Sequence, residues 1–478
     1  MKRKASSAAF DEEDGGGGEP RRTAPRLDDY FLAEEILPRL PAHAAQGFAA
    51  ASAFFRGILT DPEHWLSRLS RAPPPRPRAA CLVVRGSNDD GDPELRHEFH
   101  YADAASSAAE PYAVRAAGAS LAGYRHAGTC NGLVLLAAPW SNRTRVRAVL
   151  FNPASGVEEA VALDLPGGGR GGGSEFRCFC GLGYSPSSKT YKALICTRDF
   201  ESFPRRKLMM LPLGGAAAGR QEVRTVSAVP YRFDGQPSSL SLDGKVYLLP
   251  AITAPEVLAF DVDGEVVTPV PLPRGVWRRI SELMEVWGRP CIAMGNELAS
   301  SLSVLTPEHQ WERRCTLAVG PCRRWVGGGT TTIHGAWDCG DGLLFVMFRD
   351  GRGCMYDVGE TAARRQDMPA AVAPAAKVSL AELQKCTFCW GYQPTLIPPA
   401  TVFGDGACPS GFSHSSAGPR RLRESTAAAP RRCLEVLMEK MTRRRPLEYE
   451  GDSEEVCHCG GENAVVSRLR IDFDVPNN

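Results

Sequence analysis

The spacing of apolar positions along the chain changes once, and that change divides it. Between residues 27 and 70 apolar side chains recur at helical spacing. In LDDYFLAEEILPRLP, Leu32, Ile36, Leu37 and Leu40 fall on one face. Asp28 and Asp29 suit an N-terminal cap at the positive end of the helix dipole. Pro38 and Pro41 predict an end or bend. A second stripe, Phe48, Ala51, Phe55, Ile58 and Leu59, predicts a helix interrupted or bent around Gly47 and stopped by Thr60-Asp61-Pro62. Trp65, Leu66 and Leu69 carry the pattern into a third helix. Three short helices make a small core that gains by packing on a partner or on the next domain.

After a Pro-rich spacer at 72–79 the pattern shortens. From 80 to 402 brief apolar runs alternate with turn signals: Leu133–Leu136, Ala148–Phe151, Tyr191–Ile195, Val246–Leu249, Val257–Phe260, Leu302–Leu305 and Leu343–Phe348. The turn dipeptides are Asn131-Gly132, Asp234-Gly235, Asp243-Gly244, Asp263-Gly264, Asp341-Gly342 and Asp350-Gly351. Both residue types tolerate the positive φ of tight hairpins. LAFDVDGEVVTPV gives the plainest hairpin, two strands around Asp263-Gly264.

The fold class is therefore α+β multidomain, a three-helix module followed by a mainly-β domain. Strands at this density predict a β-propeller, at ~45 residues per blade about six or seven blades. An array of two-sheet sandwiches is the other reading. The tracts Gly167–Gly173 and Gly214–Gly219 read as loop insertions.

The flanks are polar. Residues 1–26 cannot bury enough surface to fold alone. Lys2-Arg3-Lys4 with Arg21-Arg22 reads as a split nuclear import signal or as a solvated tail. Residues 403–430 read as linker and 447–478 as a polar tail. Between them, 431–446 form a basic amphipathic helix, with Leu434, Leu437, Met438 and Met441 on one face. That helix docks on its own domain, or binds a membrane surface or partner.

Composition narrows the functions. Lys+Arg number 56 against 55 Asp+Glu, so no global field steers the chain to nucleic acid. The N-terminus has no apolar signal core and no stretch reaches the ~18 apolar residues of a membrane span, which predicts the cytoplasm or nucleus. The 16 cysteines then read as buried thiols. Cys386, Cys389, Cys457 and Cys459 have ligand types that zinc accepts, but one pair lies in a strand-like segment and the other in a polar tail. Neither a P-loop, an HExxH pair, a dinucleotide fingerprint nor a Gly-x-Ser-x-Gly elbow occurs. The tryptophans are candidates for a recognition face or for packing between blades. No cofactor, metal or catalytic residue is expected.

Two regions resemble one family. EEILPRLP, Phe48 and SAFFRGILTDP resemble the F-box of plant F-box proteins, with Glu35, Ile36, Leu37, Arg39, Leu40, Pro41, Phe48, Arg56, Leu59, Asp61 and Pro62 matching. The Leu-Pro that usually opens the motif is replaced by Asp28-Asp29, and its Trp by Phe55. The phrases TCNGLVLL, FNPASG, GLGYSPSSKTYKAL, LDGKVYLL, LAFDVDGEVVTPVPLP and SVLTPEHQWERR resemble, in order and spacing, the F-box-associated β domain of the same proteins.

The resemblance implies an adaptor with no chemistry of its own. Residues 27–71 would dock on the Skp-type adaptor of a cullin–RING ubiquitin ligase, and through it on cullin. The β domain would hold an unidentified target protein. The docking residues implied are Leu32, Glu35, Ile36, Leu37, Leu40, Pro41, Phe48, Phe55 and Leu59. Two other readings remain: an F-box-like scaffold outside any ligase, and a propeller lectin or enzyme, which would need clustered carboxylates or a metal.

Overall fold

A computed structural model describes residues 31–32, 36–37, 42–61, 78–85, 96–103, 110–114, 124–138, 145–155, 161–166, 175–199, 206–214, 223–229, 237–250, 255–273, 280–295, 299–318, 333–340, 342–349, 352–358, 371–377 and 386–403. The chain divides into two units, Met1–Leu40 and Pro41–Asn478.

The second unit opens with two helices, α1 (Ala42–Ala51) and α2 (Ala53–Thr60). The expected bend at Gly47 is not where the helix breaks. Gly47 lies within α1, and the chain extends at Ser52, with φ −143° and ψ 131°. Ala45 and Ala49 stand two residues to either side of Gly47, and such helix formers keep the helix intact there. Asp61 is extended, as a residue before proline must be, and ends α2. Trp65, Leu66 and Leu69, the basis of the expected third helix, lie outside the described residues.

Among the described residues twenty-four strands follow. They form six four-stranded antiparallel sheets among the described residues. The second blade holds β4 (Arg125–Cys130), β5 (Leu133–Ala137), β6 (Arg145–Phe151) and β7 (Val161–Pro166). The third holds β8 (Glu175–Ser185), β9 (Thr190–Asp199), β10 (Arg206–Leu213) and β11 (Arg224–Val229). The fourth holds β12 (Ser238–Leu242), β13 (Lys245–Leu249), β14 (Glu256–Asp261) and β15 (Val266–Pro271). The fifth holds β16 (Ile280–Val286), β17 (Arg289–Gly295), β18 (Ala299–Leu305) and β19 (Trp311–Ala318). The sixth holds β20 (Ile333–Gly340), β21 (Leu343–Phe348), β22 (Arg352–Asp357) and β23 (Ala371–Lys377). The first is composite. Its strands β1 (Arg78–Arg85), β2 (Arg96–Asp103) and β3 (Glu110–Val114) are joined by the C-terminal strand β24 (Cys386–Phe388), in the order β24-β1-β2-β3. β1 thus begins inside the 72–79 spacer.

Six meanders whose first strands adjoin, with the last strand closing the first sheet, make a six-bladed β-propeller. Strand composition follows from blade stacking. A central strand is covered on both faces and reads as a continuous apolar run. β5, LVLLA, is buried at every position, as are five of the six residues of β21, LLFVMF. The outermost strand is wet: in β15, VVTPVP, only one position is buried.

Ring closure rests on an aromatic seam. Phe388 in β24 lies 4.9 Å from Trp337 in β20, and Trp390 lies 5.2 Å from Trp337. A Cβ on Gly335 would sit 2.5 Å from the Trp337 ring, so only glycine lets that indole lie along its own strand. On the other side of the first blade, Phe99 in β2 meets Phe151 in β6 at 6.4 Å.

Hairpin chemistry is partly as the sequence predicts. Asn131-Gly132 and Asp243-Gly244 both carry paired positive φ. Asp263-Gly264 does not. There the turn spans 262–265, the positive φ falls on Glu265, and the Gly264 amide donates to Asp261 Oδ1 at 2.7 Å. The longer loop uses an Asx-type turn and places its left-handed residue one position later. Trp287-Gly288 is a paired-positive-φ hairpin with no dipeptide signal at its first position.

Candidate functional site

Strand alternation gives the propeller two unlike faces. On the first, the inner strands begin and the second hairpin of each blade turns. On the second lie the hairpins joining inner strands to their neighbours, and the helices.

The second face is strapped. After β24 the chain runs through 389–403 across several blades. The Cys389 amide donates to the Ala80 carbonyl at 2.9 Å. Thr395 Oγ1 donates to the Asn131 carbonyl at 2.7 Å. Asn152, 3% exposed, donates from Nδ2 to the carbonyls of Thr395 (3.0 Å) and Ile397 (2.8 Å), and its Oδ1 accepts the Ala154 amide at 2.9 Å. Gly214, at φ 91°, packs so closely under the Val402 carbonyl that no Cβ fits. Helix α1 lies against the 3-10 turn Pro153–Ser155 that follows Asn152.

The residues expected to dock a partner divide on that helical pair. Phe48 and Phe55 are partly buried against each other, edge to face at 5.8 Å. Leu59 is fully buried, so it is packing. Phe54, which the sequence reading did not single out, is 52% exposed and touches Phe55 at 5.4 Å. Its signal was the Phe-Phe doublet, in which only one ring can face inward. In the first unit Leu32 and Ile36 are partly buried, Leu37 is fully buried and Phe31 is 47% exposed. Glu35, Leu40 and Pro41 lie outside the described residues.

Polar chemistry on the second face binds blades together. Asp263 accepts from the hydroxyls of Ser185 and of Ser187, the latter at 2.8 Å. Those donors hold its carboxyl below the ordinary carboxylate range. Lys192, buried in the same corner, donates to the Val262 carbonyl at 2.6 Å and pairs with Glu265 at 2.8 Å. Arg224 reaches the same Glu265 oxygen at 2.9 Å. Burial pushes the Glu265 carboxyl up, and the two cations pull it down further. Lys245 meets His309 Nε2 at 3.1 Å between the fourth and fifth blades. Each bond ties one blade's loop to the next.

The first face carries a different cluster. Glu282 in β16 pairs with Arg349, just beyond β21, at 3.6 Å. A quarter of the Glu282 side chain is accessible, and partial burial raises its pKa to about 7 against the attraction of Arg349. His334 in β20 packs on Phe388 at 5.1 Å, and burial lowers its pKa to about 4. On β4, His126 is likewise held near 4 by burial, with its Nε2 2.6 Å from Thr129 Oγ1.

The cysteines whose burial is described are interior. Cys386 and Cys389 are both buried, and Cys457 and Cys459 lie outside the described residues. Burial pushes the thiols of Cys130, Cys178 and Cys315 up to about 12, leaving them unreactive. Among the described residues no group of three or more His, Cys, Asp and Glu is placed to hold a metal. Trp337 and Trp390 are buried, and Trp287 and Trp311 pack against the core. No described helix is long and apolar enough to cross a membrane.

No family model matches the chain, and no curated protein matches it. Among solved structures it is similar to a Lactobacillus plantarum protein, at 9% identity over 63% of this chain and 82% of that one, TM-score 0.38. It is similar to the periplasmic gluconolactonase of Pseudomonas aeruginosa at 11% identity, over 63% and 83% of the two chains, TM-score 0.39. It is also similar to the Dos1 propeller at 12% identity, over 62% and 72%, TM-score 0.33. Likenesses this distant carry no argument about chemistry, and the propeller assignment rests on the sheets.

Proposed function

We propose that this chain is the substrate-recognition subunit of a Skp-type cullin–RING ubiquitin ligase, with its helices on the adaptor and its propeller on the target. The observation that carries the reading is the helical pair. The motif residues from Phe48 to Asp61 fall on two short helices, and Phe54 exposes half its surface between them and solvent. A large apolar side chain held outward on a short helix favours a protein partner. The same helices lie on the strapped face, which leaves the opposite face for a target. The polar clusters of the strapped face are engaged in inter-blade bonds, which favours binding over catalysis.

Co-purification of the full chain with the Skp-type adaptor tests this. The chain should retain the adaptor, and Phe54→Asp together with Ile36→Asp should release it while the propeller stays folded. No retention by folded wild-type protein would overturn the ligase reading in favour of a scaffold.

A further inference from the structure

We infer that the turn Pro153–Ser155 is the seat that orients the helical pair on the propeller, and that Asn152 is the positioning residue that sets it. The consequence, a fixed angle between adaptor and target, rests on the reading above; the seat itself does not.

The helices form one stiff corner. The chain is extended at Ser52, yet backbone bonds run through the break. The Ser52 amide donates to the Phe48 carbonyl at 3.1 Å, and the Arg56 amide donates to the Ser52 carbonyl at 2.9 Å. Arg56 Nε reaches back to the Ala49 carbonyl at 3.0 Å, and Phe48 and Phe55 close the angle edge to face. Whatever holds α1 therefore also aims α2 and its exposed Phe54.

That corner is not free-standing. Ala45 in α1 and Leu59 in α2 are both 0% exposed. Helices of 10 and 8 residues cannot enclose two side chains by themselves, so the rest of the chain covers them. One neighbour of α1 is the turn Pro153–Ser155, against which β3 of the first blade also lies. Ala154, in the middle of that turn, is 2% exposed.

Asn152 fixes the turn from below. Its Oδ1 accepts the Ala154 amide at 2.9 Å, an Asx-type bond that sets the path of the backbone into the turn. Its Nδ2 is committed at the same time to the Thr395 and Ile397 carbonyls, so the side chain cannot rotate away from the turn without losing the strap. Thr395 in its turn donates to the Asn131 carbonyl in the inner hairpin of the same blade. Helix seat, strap and second blade thus share one side chain. A long side chain at Ala154 would displace what lies over the turn while keeping the amide that Asn152 holds.

The test is the distance between α2 and the fourth blade, read by pulsed electron spin resonance on the full chain with genetically encoded spin labels at positions 57 and 266. Gly57 is exposed, with no atom within 4 Å of an added Cβ, and Val266 is 57% exposed. Wild type should give one narrow distance distribution. Ala154→Arg should shift it or widen it about two-fold or more, while urea unfolding still reports a folded propeller. Asn152→Ala should widen it in the same way, and Ala154→Leu, a smaller change, serves if the arginine variant does not fold. A broad distribution in wild type overturns the inference, as does a narrow one that every variant leaves unchanged. Adaptor capture is read separately on unlabelled protein. A narrow, variant-sensitive distribution without adaptor capture keeps the seat and removes the ligase; capture with a broad wild-type distribution does the reverse.

Discussion

Asn152 is the residue whose loss should do most damage for its size. It joins the second blade to the strap through two hydrogen bonds, from Nδ2 to the Thr395 and Ile397 carbonyls, and its Oδ1 accepts the Ala154 amide in a third, local bond. In Asn152→Ala all three vanish and nothing reaches the stranded groups, because the site is 3% exposed. A net bond contributes about 1 kcal/mol, and each buried group left unsatisfied costs about 1–3 kcal/mol. Partial relaxation of the strap brings the sum to about 3–5 kcal/mol, against a total of about 5–15 kcal/mol for a domain. Urea unfolding should show a lower midpoint at unchanged slope. Limited proteolysis should cut within 389–403 in the variant and not in wild type. Asn152→Asp should be at least as harmful near neutral pH, since it turns a donor into a charge facing two carbonyl oxygens. A loss below about 1 kcal/mol with an uncut strap would refute the assignment of the strap's anchoring to this side chain.

Other substitutions probe separate parts of the account. Phe388→Ala should cost about 3–5 kcal/mol by thermal or urea unfolding, because the ring is 6% exposed and fills the closing seam; a loss under about 1 kcal/mol would mean that β24 does not close the ring. Gly214→Ala should destabilise by more than about 1 kcal/mol, since it combines φ 91° with a clash on the Val402 carbonyl; a neutral result would show that the strap lies elsewhere. Glu282→Gln should stabilise in a pH-dependent way. The folded carboxyl titrates near 7 instead of 4.5, so the folded state binds more protons in that window and wild type loses stability as pH rises through it. The advantage of Glu282→Gln should be absent below about pH 4.5 and reach about 1–3 kcal/mol above about pH 8; a pH-independent difference would show that Glu282 is not enclosed. His126 and His334, both held near 4, pull the other way, and wild type should lose stability as pH falls from about 6.5 through about 4.

What the sequence disclosed was local. Runs such as Leu133–Ala137 and Leu343–Phe348 were readable as strands because blade stacking buries both their faces. Asn131-Gly132 and Asp243-Gly244 were readable because their turns need positive φ at both positions. Asp263-Gly264 looked the same, yet a longer loop moved the strained position to Glu265. Trp287 adopts φ 55° with no favourable chemistry of its own, so packing against the core and the glycine after it decide that turn. The second helix broke at Ser52, which is extended, where Gly47 was expected, because a single glycine within a helix-forming segment is tolerated.

The rest was nonlocal. Asn152 and Thr395 are 243 residues apart in sequence. Cys386 and Cys389 read more readily as plain thiols than as a metal pair, and the fold buries both at the strand that closes the ring. Glu282, Arg349 and His334 carry no motif and converge only because consecutive blades place their inner strands side by side. Phe54 was overlooked beside Phe55, since helical spacing counts apolar positions but does not say which one remains in water.

The central claim is that the helical pair presents its exposed aromatic side chain to a Skp-type adaptor. Calorimetric titration of that adaptor into the full chain, wild type against Phe54→Asp, tests it most directly. The account predicts saturable binding to wild type and a loss of about 2 kcal/mol or more on substitution, with unfolding unchanged because Phe54 is half exposed. Equal binding by both proteins, or none by folded wild type, would contradict it.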